Sequence, residues 1–140
     1  ARTAFRLREN AAPRPELSYV AEVAADGKTS DLAGSVELTD ITIGDSAALL
    51  LGPLVVSPHF QKLGIGRELM NRAIHDAYMG NHKLIILVGD LPYYAKFGFR
   101  PVPPGQISLP GPVDPARLLA AELTPGTLDC TTGQARNPLQ

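Results

Sequence analysis

The chain of 140 residues has no tryptophan, one cysteine, four tyrosines and four phenylalanines. Each shortage excludes something. Cys130 has no second cysteine with which to close an internal disulfide, so this is no disulfide scaffold, and a lone thiol is more often a small packing residue than a nucleophile. Neither sign of charge is in excess: 13 Lys and Arg stand against 14 Asp and Glu, a formal net charge of −1. Nucleic acids and anionic lipid surfaces are held by clustered cations. Here Arg2, Arg6 and Arg8 are scattered, so no nucleic-acid partner is expected. No run approaches the roughly 20 apolar residues of a membrane span, and the opening ARTAFRLREN lacks both the apolar segment of a secretory signal and an initiator Met. No membrane partner is expected, and a reducing cytoplasm is the expected location. His59, His75 and His82 show no ligand spacing, so no metal is expected.

What the chain holds in quantity is 13 glycines and 13 prolines within a sequence that is 44% apolar and 19% charged. Those proportions suit a globular protein with one hydrophobic core, so residues 1–140 read as a single domain. The segment AFRLREN reads as a short helix stopped by Pro13 and Pro15. Residues 17–23 and 32–43 alternate with period two around the turn ADGKTSD and predict two antiparallel strands. AALLLGPLVV is apolar on both faces, as a strand in the middle of a sheet would be. Gly52 and Pro53 interrupt it, and a proline there removes a ladder donor, which marks a bulge or a place where neighbours part.

From residue 63 to 78, Leu69, Met70, Ala73, Ile74 and Ala77 keep helical spacing, with Arg67, Glu68, Asn71, Arg72 and Asp76 opposite. Gly80 and Asn81 are suitable C-terminal caps. KLIILVGD is a further buried strand, and strand, helix, strand predicts a crossover with parallel strands. LPYYAKFGF predicts a short helix ended by Gly98. Residues 101–116 hold six prolines and read as a rigid loop, suited to a wall or lid. RLLAAELTPGTL reads as a last strand in preference to a helix, and residues 131–140 as a tail without structure. No internal repeat appears.

HFQKLGIGRELM places two glycines where a strand gives way to a helix. A glycine inside a helix weakens it by roughly 1 kcal/mol relative to alanine, so Gly64 and Gly66 need a reason. A helix start carries unpartnered N–H groups and about half a positive elementary charge. Without side chains, an anion can touch the amides of Leu63, Gly64, Ile65 and Gly66. On the glycines alone an ordinary strand-to-helix turn is the better reading. A Walker loop needs Gly-Lys-Ser/Thr, and a dinucleotide fingerprint needs a small residue where Leu69 stands, so neither ATP nor NAD is supported. Position adds more. A strand splayed at Gly52-Pro53 frees backbone groups beside Leu54, Val55 and Val56, which a peptide-like arm can use as a neighbouring strand would. An anion at the helix start and a peptide-like arm on the open edge together describe coenzyme A.

These residues resemble the GNAT superfamily of acetyl-CoA-dependent N-acetyltransferases. LVVSPHFQKLGIG looks like its signature, an apolar strand followed by Gln/Arg-x-x-Gly-x-Gly/Ala, with Gln61, Gly64 and Gly66 matching. YYAKFGF looks like its second signature, with Tyr94, Lys96, Gly98 and Phe99 matching. With the late AAELTPGTL, the likeness is to the bacterial branch described as predicted or YhbS-like N-acetyltransferases, over roughly residues 17–137. The resemblance implies an α+β fold: a mixed, mostly antiparallel sheet with splayed central parallel strands and flanking helices. It also implies that the family's first strand and first helix are missing, residues 1–16 being a remnant of the N-terminal helical region, and that a homodimer is the expected assembly.

The resemblance further implies direct attack of a neutral amine on the thioester of acetyl-CoA, the cosubstrate. Strand amides near Leu54, Val55 and Val56 are the candidates to stabilise the oxyanion. Tyr94 matches the family's general acid. A phenol of reference pKa about 10 can protonate a thiolate whose conjugate acid lies near 8.5 only slightly uphill. Tyr93 is the adjacent candidate, and neighbouring helical side chains point about 100° apart, so one sulfur cannot face both. Gln61 and Arg67 are candidates for the pyrophosphate, and Lys62 or Lys96 for the 3′-phosphate, with solvated surface charge the rival reading for both lysines. Phe97 is a candidate contact, although it and Phe99 fit the core better. For the base, Glu37, Asp90 and a water chain stay open. The amine acceptor is not legible.

Overall fold

In the computed structural model, which describes residues 5–9, 17–25 and 29–136, the period-two half of the chain forms a meander of four antiparallel strands. They are β1 (Phe5–Glu9), β2 (Leu17–Ala25), β3 (Thr29–Ile43) and β4 (Ser46–Val56). β4 leads through a single 3-10 turn, Pro58–Phe60, into α1 (Ile65–Met79), and α1 into β5 (Leu84–Val88). A short α2 (Leu91–Tyr94) continues as a 3-10 turn to Phe97. Then follow β6 (Arg100–Pro101), β7 (Ile107–Ser108), β8 (Leu118–Glu122) and β9 (Gly133–Arg136). The sheet runs in the order β1-β2-β3-β4-β5-β8-β6, with β9 paired to both β3 and β7.

Two expectations are overturned. AFRLREN is not a helix: residues 5–9 pair antiparallel with β2, Leu7 opposite Ala21. Phe, Arg, Leu and Arg alternate with period two, and the free edge of β2 decides in favour of the strand. The final segment is not an unstructured tail either. β9 pairs with β3 at Thr42 and Ile43, on the edge that β2 leaves open because its pairing stops at Leu17 and Leu38.

The centre of the sheet is buried on both faces, which is why β5 is apolar from Leu84 to Leu87. Ile85 and Leu87 join one core with Tyr19, Val36, Leu38, Leu49 and Leu51, and α1 covers it with Ile65, Leu69, Met70, Ala73 and Ala77. Leu84 and Ile86 join the other with Ile41, Ile43, Ile107, Leu118 and Leu128, under the proline-rich segment and the segment after β8. Ile65, Leu69 and Met70 are at most 1% exposed, each burial stabilising by about 2 kcal/mol. The first turn of α1 sits hard against the sheet because β3 has no side chain at Gly34. A Cβ there would lie 2.7 Å from the Val55 carbonyl oxygen and 3.2 Å from both Ile65 Cγ2 and Leu69 Cδ1.

β4 and β5 are parallel, as the crossover predicts, but they match in register only at Leu49 with Ile85 and Leu50 with Ile86. Beyond Leu50 they part. On the other side of β4, Val36 faces Leu54 and Leu38 faces Leu51, so Gly52 and Pro53 together oppose Glu37 alone. That is a bulge, and it turns the end of β4 away from β5.

The far half of α1 is fixed by a polar clamp. The buried Tyr19 hydroxyl donates to Asp76 Oδ2 at 2.6 Å, and Arg72 Nε donates to the same oxygen at 2.8 Å. Burial works against the charge on Asp76, but the Tyr19 and Arg72 hydrogen bonds and the charges of Arg72 and His75 prevail, and its pKa lies below the ordinary 3.8. A carboxyl depressed in the folded state stabilises it above the unfolded-state pKa, near 4, and loses that contribution as pH falls through the folded value. Asp76→Asn should therefore be less stable than wild type at pH 7, and urea denaturation should show the difference closing below about pH 4. A difference independent of pH would contradict the clamp.

Candidate active site

The parting of β4 from β5 leaves a groove of about 790 Å³. It is lined by Leu54, Val55 and Val56 of β4, by Phe60, Gln61, Lys62 and Gly64 of the connection, by Ile65, Gly66 and Arg67 of α1, and by Asp90 and Tyr93. Backbone direction shows which strand groups face it. Ser57 N donates to Ala33 O at 2.7 Å, and the Val55 carbonyl points at Gly34, so residues 55 and 57 turn toward β3. Direction alternates along a strand, so Leu54 and Val56 present their N–H and C=O to the gap. Val55 does not.

The connection folds back sharply. Lys62 has φ +73° and the N-cap residue Gly64 has φ +80°, with no side chain capping the helix. The first helical bond runs from Glu68 N to Gly64 O at 3.0 Å. The N–H groups of Ile65, Gly66 and Arg67 therefore have no acceptor among the described residues, and they point out of the helix start. The helix field there favours negative charge.

On the opposite wall stands Tyr93, its ring centroid 4.9 Å from that of Tyr94 and perpendicular to it. Tyr93 lines the groove. A Cβ on Gly66 would lie 2.7 Å from its hydroxyl oxygen, so this glycine makes room for a side chain as well as for an anion. Tyr94 turns the other way, its ring against Gly89 at the end of β5, where a Cβ would meet Cδ2 at 2.9 Å, and 6.0 Å from the ring of Phe99. Burial raises the pKa of Tyr94, the neighbouring Tyr93 and Asp90 raise it further, and Arg117 pulls it down. Burial alone raises that of Tyr93.

Of the residues singled out in the sequence, the groove gathers Leu54, Val55, Val56, Gln61, Lys62, Gly64, Ile65, Gly66 and Arg67. Leu63 is exposed and lines a separate groove with Leu7 and Asn71. Phe97 packs partly against the core, 5.6 Å from the Tyr93 ring, and Lys96 Nζ lies 4.8 Å from the centre of that ring. Asp90 is exposed and pairs with Arg117 at 3.3 Å. Glu37 is half-buried and, because Val36 and Leu38 face the core under α1, it points to the other face of the sheet, opposite the bulge. Phe60 carried no sequence signal; the aromatic position of Tyr93 did, without its direction. Among the described residues no cluster of His, Cys, Asp or Glu is placed to hold a metal, and no helix is long and apolar enough to cross a membrane.

Residues 15–101, which carry the splayed β4 and the uncapped start of α1, match the acetyltransferase (GNAT) domain. The chain belongs to the GNAT family. It is 30% identical over 99 residues to the uncharacterized N-acetyltransferase YjhQ of Escherichia coli K12, covering 68% of this chain and 52% of that protein; it spans about half the length of that relative. Among solved structures, the coenzyme A complex of the GNAT family protein YhbS of Escherichia coli superposes with TM-score 0.75 at 19% identity, over 86% of this chain and 66% of that one. The acetyl-CoA complex of a GNAT acetyltransferase from Brucella melitensis gives 0.68 at 19% identity, over 96% of each. These likenesses show the fold, α+β with the mixed sheet and flanking helices that the sequence implied. With φ +80° at Gly64, Gly64→Ala should lower stability in urea denaturation by about 1 kcal/mol, since a Cβ is disfavoured in that backbone region; an unchanged midpoint would contradict the geometry of the turn.

Proposed function

We propose that the protein transfers an acetyl group from acetyl-CoA to a primary amine, of a small molecule or of a protein, by direct attack. The observation that carries this reading is the convergence of backbone groups on one groove. Ile65, Gly66 and Arg67 offer unbonded N–H groups at a helix start, and β4 offers an unpaired edge beyond Leu50. The first set suits a diphosphate, with Gln61, Lys62 and Arg67 beside it. The second suits the amides of a pantetheine arm. Two solved relatives of the same fold are complexes with coenzyme A and acetyl-CoA, which supports the same ligand here.

The thioester supplies the acetyl group, and the chain's own residues place it and manage the protons. The Leu54 N–H, facing the gap, is the donor for charge that develops on the carbonyl oxygen. Tyr94 is the acid. The phenol is protonated at neutral pH, and because its pKa is raised the transfer to a thiolate of reference pKa near 8.5 is uphill and takes place as the carbon–sulfur bond breaks. Glu37, on the far face at the bulge, is the base that relieves the attacking amine of its proton. Donor and acceptor then meet across the split in the sheet from opposite faces.

Thiol release from acetyl-CoA over a panel of amines tests this. Wild type should turn over at least one amine, and Tyr94→Phe should lose kcat by about 10²-fold, the lower end of what a positioned acid contributes, while coenzyme A still raises its melting temperature. Binding without turnover across a wide panel would favour a coenzyme A sensor that has lost catalysis. A Tyr94→Phe variant with full activity would remove that residue from the mechanism.

A further inference from the structure

Tyr93 carries a hydroxyl that this reaction does not use, and its position is specific. The ring reaches from α2 across the mouth of the gap. A Cβ on Gly66 would lie 2.7 Å from the hydroxyl oxygen but 4.0 Å from Cζ, so the close approach to the first turn of α1 is made by the hydroxyl itself. Three neighbours hold the ring in place: Tyr94 at 4.9 Å, Phe97 at 5.6 Å, and Lys96 Nζ at 4.8 Å. No group among the described residues hydrogen-bonds the Tyr93 hydroxyl, and the N–H groups nearest to it, at the start of α1, are donors as well. A phenol is protonated at neutral pH, and burial raises the pKa of this one further. The hydroxyl and the bare amides thus stand close together as donors at the start of α1, an arrangement that suits an anion.

We propose that Tyr93 is a positioning residue for the coenzyme: its hydroxyl donates a hydrogen bond to the diphosphate seated at the first turn of α1. This rests on the acetyl-CoA reading above and adds to it a residue that the second sequence signature does not include. It gives Gly66 a second purpose, because any larger residue would displace the hydroxyl. The two adjacent tyrosines then divide the work. Tyr93 acts on affinity and Tyr94 on turnover.

Titration calorimetry and ³¹P NMR on wild type, Tyr93→Phe and Tyr94→Phe test the assignment. Tyr93→Phe should weaken coenzyme A about tenfold, equivalent to about 1.4 kcal/mol, and leave kcat at saturating acetyl-CoA within about twofold. At saturation the diphosphate resonances of coenzyme A should differ between wild type and Tyr93→Phe, while the 3′-phosphate resonance stays in place. Tyr94→Phe should bind as wild type does. An unchanged Kd in Tyr93→Phe overturns the proposal. So does a weakened Kd with unmoved diphosphate resonances, which would mean a packing role. In either case wild type still binds coenzyme A and the acetyltransferase reading survives; wild type that fails to bind coenzyme A overturns both.

Discussion

The structure depends on a failure of pairing. β4 and β5 share a parallel register at Leu49 with Ile85 and Leu50 with Ile86 and then separate, although both continue. β5 stays bonded to β8 through Leu87 and Val88, and β4 stays bonded to β3 through residues 54–56. The bulge at Gly52-Pro53 re-aims β4, so the sheet is left open at its centre, between β4 and β5. Buried backbone groups without partners are costly. The N–H and C=O of Leu54 and Val56, half-buried and without a strand partner on this side, are thereby left free to pair with the amides of a ligand.

Everything else converges on the end of that opening. Gly34 lets Ile65 and Leu69 press onto β3, which fixes where the helix begins. The left-handed turn at Lys62 and Gly64 brings the strand round into the helix and leaves the first amides bare. α2 then sets the Tyr93 hydroxyl at the opposite wall, toward the helix start, and turns the Tyr94 ring toward Gly89. Ligands of sheets with parallel strands bind at the strands' carboxyl ends, where neighbouring connections diverge. Here the divergence is built into the strands themselves. The clamp of Tyr19, Arg72 and Asp76 holds the far half of α1 against β2, so the uncapped end works from a rigid support.

Much of this was legible in the sequence because the signals are local. Period-two alternation gave β2 and β3, continuous apolar runs gave β4 and β5, and 3.6-residue spacing gave α1. Gly52-Pro53 marked the splay, and the two glycines marked the helix start. What was not legible is nonlocal. Phe, Arg, Leu and Arg satisfy helix propensity as well as alternation, and the edge of β2 chose between them for β1. β9 has almost no apolar pattern; the exposed edge of β3 beyond Leu38 makes it a strand. Adjacent tyrosines differ by about 100° in direction, but which of them faces the groove follows from where α2 docks. Leu63, Tyr94 and Phe97 are sequence neighbours of groove residues and do not themselves line the groove; that follows from tertiary packing.

The central claim is that bare amides at the start of α1 and along the open edge of β4 receive the coenzyme. An ¹⁵N-resolved NMR titration with coenzyme A tests it residue by residue. The account predicts that the largest amide shifts fall on Ile65, Gly66, Arg67, Leu54 and Val56, with Val55 and the second half of α1 nearly still. Saturable binding that leaves those five amides in place and moves others would contradict it.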